Sequence, residues 1–228
     1  MGRPIPGGRG EAAVINGVIF DMDGVLADSE PVLRDAAIAM FREHGVRVRP
    51  RDFRPFIGTG EDRYLGGVAE QHGVELDIDK AKRRTYEIYL ELLPIRLATF
   101  SGARNLVHNC RDSGLKIGLA SSADIIKIEA TLKKIDIPLE LWHSVVSAED
   151  VENKKPAPDI FLVAARKLAV PAAECVVVED SIHGIEAAKA AGMRCVAVAH
   201  SFKPNELGQA DLVRRKIGQV SMRDLRGR

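Results

Sequence analysis

An apolar run, Val18-Ile19-Phe20, stops abruptly at Asp21-Met22-Asp23-Gly24. Two carboxylates two residues apart, followed by glycine, stand where a buried strand leaves its sheet and turns. Acids delivered to such a rim can bring a divalent cation and a phosphate together. One is a competent nucleophile toward phosphorus, and the other can manage the proton. The plainer alternative is an acidic turn, since Asp and Gly are ordinary turn residues.

Three later segments share the pattern. Gly118-Leu119-Ala120 leads into Ser121 and Ser122. Hydroxyls and fresh backbone N–H groups at that junction suit a phosphate oxygen, or equally cap the helix that follows. Lys154-Lys155 runs into Pro156 and Pro158. Prolines there stiffen the approach to a helix and hold Lys155 in one direction, where it can neutralise a phosphoryl group. Lys154 is expected to be a solvated loop lysine. Lastly, Cys175-Val176-Val177-Val178 ends in Glu179-Asp180. Adjacent acids repel unless they share a cation, and hard oxygen donors of this type suit Mg2+.

Such strand ends need a sheet behind them. Unbroken Val/Ile/Leu runs over 115–121, 143–150, 175–181 and 194–200 read as strands covered on both faces. Helical periodicity over 123–135, 157–170 and 182–192 separates them. Strand–helix alternation implies right-handed crossovers and an α/β fold with a doubly wound parallel sheet. Ligands of such sheets bind at the carboxyl ends of the strands. Residues 28–98 differ: helical periods cover 30–44, 64–72 and 78–93, with Gly45, Gly73 and Pro94 as stops. The expected organisation is therefore a discontinuous core (12–27 and 99–225), an inserted helical cap (28–98) and a flexible tail (1–11).

Length and composition exclude several classes. A chain of 228 residues is long enough for one large domain with a small insert. The net charge of +1 gives no field to gather nucleic acid or a membrane surface. No apolar stretch approaches a membrane span. Cys110, Cys175 and Cys195 are widely spaced and odd in number, which favours buried thiols in a reducing compartment. The Gly/Pro/Arg-rich beginning lacks the apolar centre of a secretory signal. The expectation is a cytoplasmic protein, or a plastid stromal one if a targeting segment has been removed. The remaining histidines draw no catalytic role: His183 is expected on a helix surface, and His44, His72 and His108 in solvent. Trp142 and Leu141 read as packing beside a strand.

The order Asp-x-Asp, Ser, Lys, Glu-Asp spans nearly the whole chain and resembles the four-motif signature of the haloacid dehalogenase superfamily. "DMDGVLADSE", "KPAPDIF" and "VVVEDSIHGIEAAKAAGM" look like its β-phosphoglucomutase-like and phosphoglycolate-phosphatase-like branch with a helical cap. The resemblance implies that Asp21 forms an aspartyl-phosphate, and that Asp23 is the general acid/base and offers a carbonyl to Mg2+. It implies too that Ser121 and Lys155 hold the phosphoryl group, and that Glu179 and Asp180 join Asp21 and Asp23 around the metal. True dehalogenases of the superfamily work without the second Asp and the Mg2+ site; both are present here, so dehalogenation is not expected. A small phosphorylated metabolite is the implied partner, and a monomer the implied state.

The cap offers "FIGTGEDRYLGG" at a helix start. Thr59-x-x-Asp62 fits a capping box. The functional alternative is a specificity loop in which Thr59, Gly60, Glu61 and Arg63, with Ser122 of the core, meet the substrate. Sugar-phosphate mutases place an Arg closely behind the loop glycine, where this chain has Glu61. They also carry a Ser-Lys-Asn-like set after the motif serine, where this chain has Ala123-Asp124-Ile125 and no cation. A second anion site is thus not evident, which favours hydrolysis, with a sugar phosphate as the expected substrate, over mutase chemistry, although "DGV" rather than "DGT" keeps the mutase open. A third alternative is a non-catalytic regulatory or binding domain. "GTGEDRYLGGVAE", "ASSAD" and "ENKKPAPDIF" are similar to the phosphatase-like domain of a multidomain plant chloroplast protein.

Overall fold

The structure, a computed structural model, describes residues 14–227. The tail expected over 1–11 lies outside the described residues. Strand β1 (Gly17–Phe20) is wholly buried, and the turn after it leads to the short β2 (Ala27–Asp28), which pairs antiparallel with β3 (Ala98–Thr99). Everything between leaves and rejoins the core through this two-stranded neck: α1 (Glu30–Glu43), a 3-10 segment (Pro50–Phe56), α2 (Glu61–Gln71) and α3 (Ile78–Arg96). The chain then alternates: α4 (Ala103–Asp112), β4 (Lys116–Ala120), α5 (Ile125–Lys134), β5 (Ser144–Val146) and α6 (Asp159–Leu168). It ends with β6 (Cys175–Glu179), α7 (Ile182–Ala190), β7 (Arg194–Val198), β8 (Leu212–Arg214) and α8 (Met222–Arg226).

Strands β5-β4-β1-β6-β7-β8 form one parallel sheet in that order. Alternate residues along each strand enter opposite cores. Val18, Phe20, Ile117, Leu119, Val176 and Val178 join one cluster, while Ile19, Ala120, Val177, Cys195 and Ala197 join the other. Both faces are apolar because both are covered. Helices α6 and α7 cover the second face through Phe161, Ala164, Ile185 and Ala188. The first face is covered by α4 and α5, and its cluster runs on without a break into the helical insert through Phe41, Leu65 and Tyr89. Each fully buried side chain of this kind contributes about 1.5–3 kcal/mol. Trp142 packs edge-on against Phe20, with ring centroids 5.9 Å apart. All three cysteines are free and buried.

One boundary departs from expectation. Pro94 does not stop α3, which continues to Arg96. Proline deletes only its own N–H bond, in the last turn, and the Leu97 N–H still reaches Leu93 O at 3.1 Å. The Lys134 ammonium holds the Pro94 carbonyl at 2.7 Å, tying α3 to α5.

Candidate active site

Strand β1 lies between β4 and β6, and the chain visits one side of the sheet before the other. This is the topological switch point, where the carboxyl ends of adjacent strands open a crevice. Asp21, Ser121 and Glu179-Asp180 meet there because β1, β4 and β6 are neighbours in register. The Asp21 N–H donates to Val178 O at 3.0 Å, and the Ser121 N–H to Val146 O at 3.0 Å.

Lys155 arrives from the loop before α6 and is buried. Its ammonium lies 2.5 Å from Asp21 Oδ1 and 2.8 Å from Glu179 Oε1. Burial disfavours its charge, but Asp21 and Glu179 together outweigh that and raise its pKa. Glu179, expected as a metal ligand, has both carboxylate oxygens engaged by protein groups. Its Oε1 faces Lys155, and its Oε2 accepts the Asp180 and Ser181 N–H groups, both at 2.7 Å, and the Ser181 hydroxyl at 2.9 Å. With both oxygens engaged, Glu179 aims the lysine. Lys154 is half-buried rather than solvated: its ammonium donates to the Ala148 and Val151 carbonyls and braces the loop beneath Lys155.

Asp180 accepts the Ser201 hydroxyl and approaches the turn after β1 very closely. Gly24 has φ +76°, and a Cβ there would lie 1.8 Å from Asp180 Oδ2. Only glycine admits both the turn and the neighbouring carboxylate. Burial pushes the Asp21 carboxyl up to about 8, with Lys155 pulling down and Glu179 and Asp23 pushing up. Burial, then Glu179 and Asp21, likewise raise Asp180. Two buried carboxylates that their surroundings penalise for being charged are the donor set a hard divalent cation relieves. Among the described residues no three His, Cys, Asp or Glu side chains cluster as metal ligands.

Asp23, on the turn after β1, accepts the Ser29 hydroxyl, the Ser121 hydroxyl at 3.4 Å and the Lys127 ammonium at 2.9 Å. Ser121 does not cap the next helix. Its Oγ accepts the Ala123 N–H at 3.2 Å, while Asp124 takes the N-cap position of α5.

The cap loop touches this site through glycine. Gly58 has φ +83°, and a Cβ there would lie 2.5 Å from Ser181 Oγ. The Ser122 hydroxyl reaches Gly58 O at a long 3.5 Å. The capping box expected at Thr59 does not form. Its hydroxyl turns back to Phe56 O at 2.7 Å, and Gly60, at φ +91°, is the N-cap of α2. Glu61 turns inward and is 5% exposed. Arg63 does not join it: its guanidinium grips both Glu70 oxygens at 2.8 Å and lies 5.2 Å over the Phe56 ring. Arg63 lines an outer cleft of about 340 Å³, together with Thr59, Glu61, Lys155 and His183.

Sequence reasoning missed Lys127. Six residues beyond Ser121, it projects from α5 into the crevice, buried, with its ammonium 2.9 Å from Asp23 Oδ1 and 3.0 Å from Glu61 Oε1. Its signal was a lysine on the same helix face as Ala123, Ile128 and Thr131, where a surface helix carries apolar groups. Glu30 was missed as well. It accepts the Tyr64 hydroxyl at 2.7 Å, and burial raises its carboxyl to about 7. Asp21, Asp23, Glu30, Glu61, Tyr64 and Lys127 border one cleft between core and cap.

A parallel sheet with a helical insert, and carboxylates paired with lysine at its switch point, define a class of enzymes that handle phosphate esters. The chain belongs to the haloacid dehalogenase-like hydrolases, whose family match covers residues 18–198. It is 48% identical over 216 residues to Protein SUPPRESSOR OF QUENCHING 1, chloroplastic, of Arabidopsis thaliana, covering 92% of this chain but only 20% of that one. The chain thus spans about a fifth of that relative. It is 32% identical over 221 residues to Hexitol phosphatase B of Escherichia coli strain K12, covering 92% of this chain and 96% of the relative. The structure of CbbY from Rhodobacter sphaeroides in complex with phosphate superposes with a TM-score of 0.85 at 26% identity, covering 92% and 99%. No helix among the described residues is long and apolar enough to cross a membrane.

Proposed function

We propose that the protein is a Mg2+-dependent phosphomonoester hydrolase that passes through a phosphorylated Asp21 and acts on a small sugar or alditol phosphate. The observation that carries this reading is the contact of Lys155 with both Asp21 and Glu179 beside the Asp23 turn. A nucleophile, a fixed cation and a proton-transfer group then meet at one strand end.

Asp21 and Asp180, with the Asp23 carbonyl, would hold the cation. Bound there, Mg2+ neutralises phosphate charge and lowers the cost of ionising Asp21. The ionised Asp21 oxygen attacks phosphorus, and the bond from phosphorus to the ester oxygen breaks. Asp23 gives its proton to the departing alkoxide, which leaves as an alcohol. Asp23 then takes a proton from water, the resulting hydroxide attacks the same phosphorus, and the phosphorus–Asp21 bond breaks. Inorganic phosphate leaves and Asp21 is restored. Lys155, held by Glu179, balances charge on the phosphoryl oxygens throughout, and the Ser121 hydroxyl hydrogen-bonds to one of them.

Mutase chemistry is less well supported. Lys127 supplies a cation that the segment after Ser121 lacks, but both of its ion pairs are to protein carboxylates. A non-catalytic binding role is opposed by every motif position being occupied. Release of p-nitrophenol from p-nitrophenyl phosphate in Mg2+, abolished in Asp21→Asn, tests the reading. No turnover across a broad panel of phosphomonoesters contradicts it.

A further inference from the structure

Strand β7 runs past its last residue, Val198, into His200 and Ser201 beside the turn that carries Asp23. The Ser201 hydroxyl binds Asp180. The half-buried His200 ring is fixed by contacts on both nitrogens and on one face. Its Nδ1 lies 2.7 Å from Gly24 O, and its Nε2 lies 3.2 Å from the Ile217 nitrogen. The ring stacks on Phe100, with centroids 3.8 Å apart and planes inclined by 20°. A backbone N–H can only donate and a carbonyl can only accept, so Nε2 is bare and Nδ1 carries the hydrogen. Burial favours this neutral form by holding the ring's pKa below its ordinary value. The Gly24 carbonyl therefore accepts from one definite donor.

We propose that His200 is a positioning residue for the proton-transfer step: by holding the Gly24 carbonyl it aims the neighbouring Asp23 carboxyl at the leaving oxygen. The assignment deepens, and rests on, the phosphatase reading above. Gly24 takes a left-handed conformation, φ +76°, and glycine by itself resists rotation less than any other residue. Bonds within the turn close it on itself: the Gly24 N–H donates to Ala27 O at 2.9 Å, and Met22 O accepts the Leu26 and Ala27 N–H groups at 2.9 and 3.1 Å. His200 adds a tie to separate elements, being carried by the chain after β7 and held from behind by Ile217. Phe100 brings in the insert. It follows β3, where the insert rejoins the core, and its N–H donates to Leu26 O at 3.2 Å. One imidazole thus joins the turn of the proton donor to the neck of the cap. A misplacement of about 1 Å in such a group can cost about a hundredfold in rate.

The test is a leaving-group contrast. An alkoxide needs the Asp23 proton in order to depart, whereas p-nitrophenolate is stable without one. In Mg2+, kcat/KM is measured for p-nitrophenyl phosphate and for the best substrate among hexose, alditol and glycerol phosphates. The proteins are wild type, His200→Asn, His200→Gln and His200→Phe. His200→Asn places an amide near Nδ1 and can keep the Gly24 bond. His200→Gln places one near Nε2 instead, and His200→Phe keeps only the stack. His200→Gln and His200→Phe should lower the alkyl-to-aryl ratio of kcat/KM about tenfold, while His200→Asn should hold it within about threefold of wild type. The ratio does not depend on the fraction of enzyme folded, so partial unfolding cannot mimic the effect. If either His200→Gln or His200→Phe does not fold, the other carries the comparison. An unchanged ratio in these variants, or a His200→Asn ratio that falls with theirs, overturns the assignment. So does a wild type that cleaves only the aryl ester. Failure of the underlying reading looks different, as phosphate released from none of the compounds.

Discussion

Lys127 and the carboxylates around it form a buried charged group where core and cap meet, and each member depends on the others. Replacing Lys127 by Met leaves Asp23 and Glu61 facing one another without a counter-charge. Removing one partner of a buried ion pair typically costs about 3–5 kcal/mol, so urea unfolding of Lys127→Met should show a large drop in midpoint. An unchanged midpoint would mean that the ion pairs do not hold in solution. Glu30 makes a pH-dependent contribution of the opposite kind. Its carboxyl is raised from 4.5 to about 7, chiefly by burial. Between those values the folded chain holds a proton that the unfolded chain has released, so stability falls as pH rises through that window. Glu30→Gln keeps an acceptor for Tyr64 and cannot ionise. Its melting temperature relative to wild type should therefore be higher at pH 8 than at pH 5, and an equal difference at both would refute the assignment. Legibility at this scale divides sharply. Asp21, Asp23, Ser121, Lys155 and Asp180 could be located because each follows an apolar strand or, for Lys155, precedes a proline that fixes its direction. Glu61, Arg63, Lys127 and Glu30 stand on helices, where one turn separates a solvated side chain from a buried one, and only tertiary packing decides which faces in.

Among the elements, the turn after β1 carries the tightest constraint. Gly24→Ala would drive a methyl into Asp180 and strain a left-handed backbone, at a cost of about 1–3 kcal/mol for the backbone alone. With Asp180 displaced, the Mg2+ concentration for half-maximal activity should rise severalfold while far-ultraviolet circular dichroism stays native; an unchanged Mg2+ requirement would detach Asp180 from the metal. The four strand ends were readable because a parallel sheet buries both faces and leaves apolar runs with abrupt polar stops. Helix α4 was not read from the sequence: Ala103, Leu106, Val107 and Cys110 are spaced for one buried face, but its many polar residues hid the pattern. The short β8 is only half-buried and carries no comparable signal. Thr59 failed as a cap because Gly60 takes a conformation that turns the threonine hydroxyl back to Phe56.

Across the whole molecule, the sheet places the chemistry and the helical insert encloses it. The two meet in one apolar cluster, with Tyr89 of α3 hydrogen-bonded to Thr131 of α5 at 2.9 Å. Buried carboxylates that favour a cation make the folded state a better ligand than the unfolded one, so Mg2+ should raise the melting temperature and chelation should lower it. A melting temperature indifferent to Mg2+ would argue against a site at Asp21 and Asp180. The alternation of strands and helices announced the architecture; the enclosure of the site did not show in it, because it depends on side chains from segments far apart in the chain.

The covalent step tests the account most directly. Wild-type protein turning over p-nitrophenyl phosphate labelled in its phosphoryl group should, when quenched in acid, carry label that hydroxylamine removes and that maps to the peptide containing Asp21, with none on Asp21→Asn. Turnover without any such label, or hydrolysis that persists in Asp21→Asn, would contradict it.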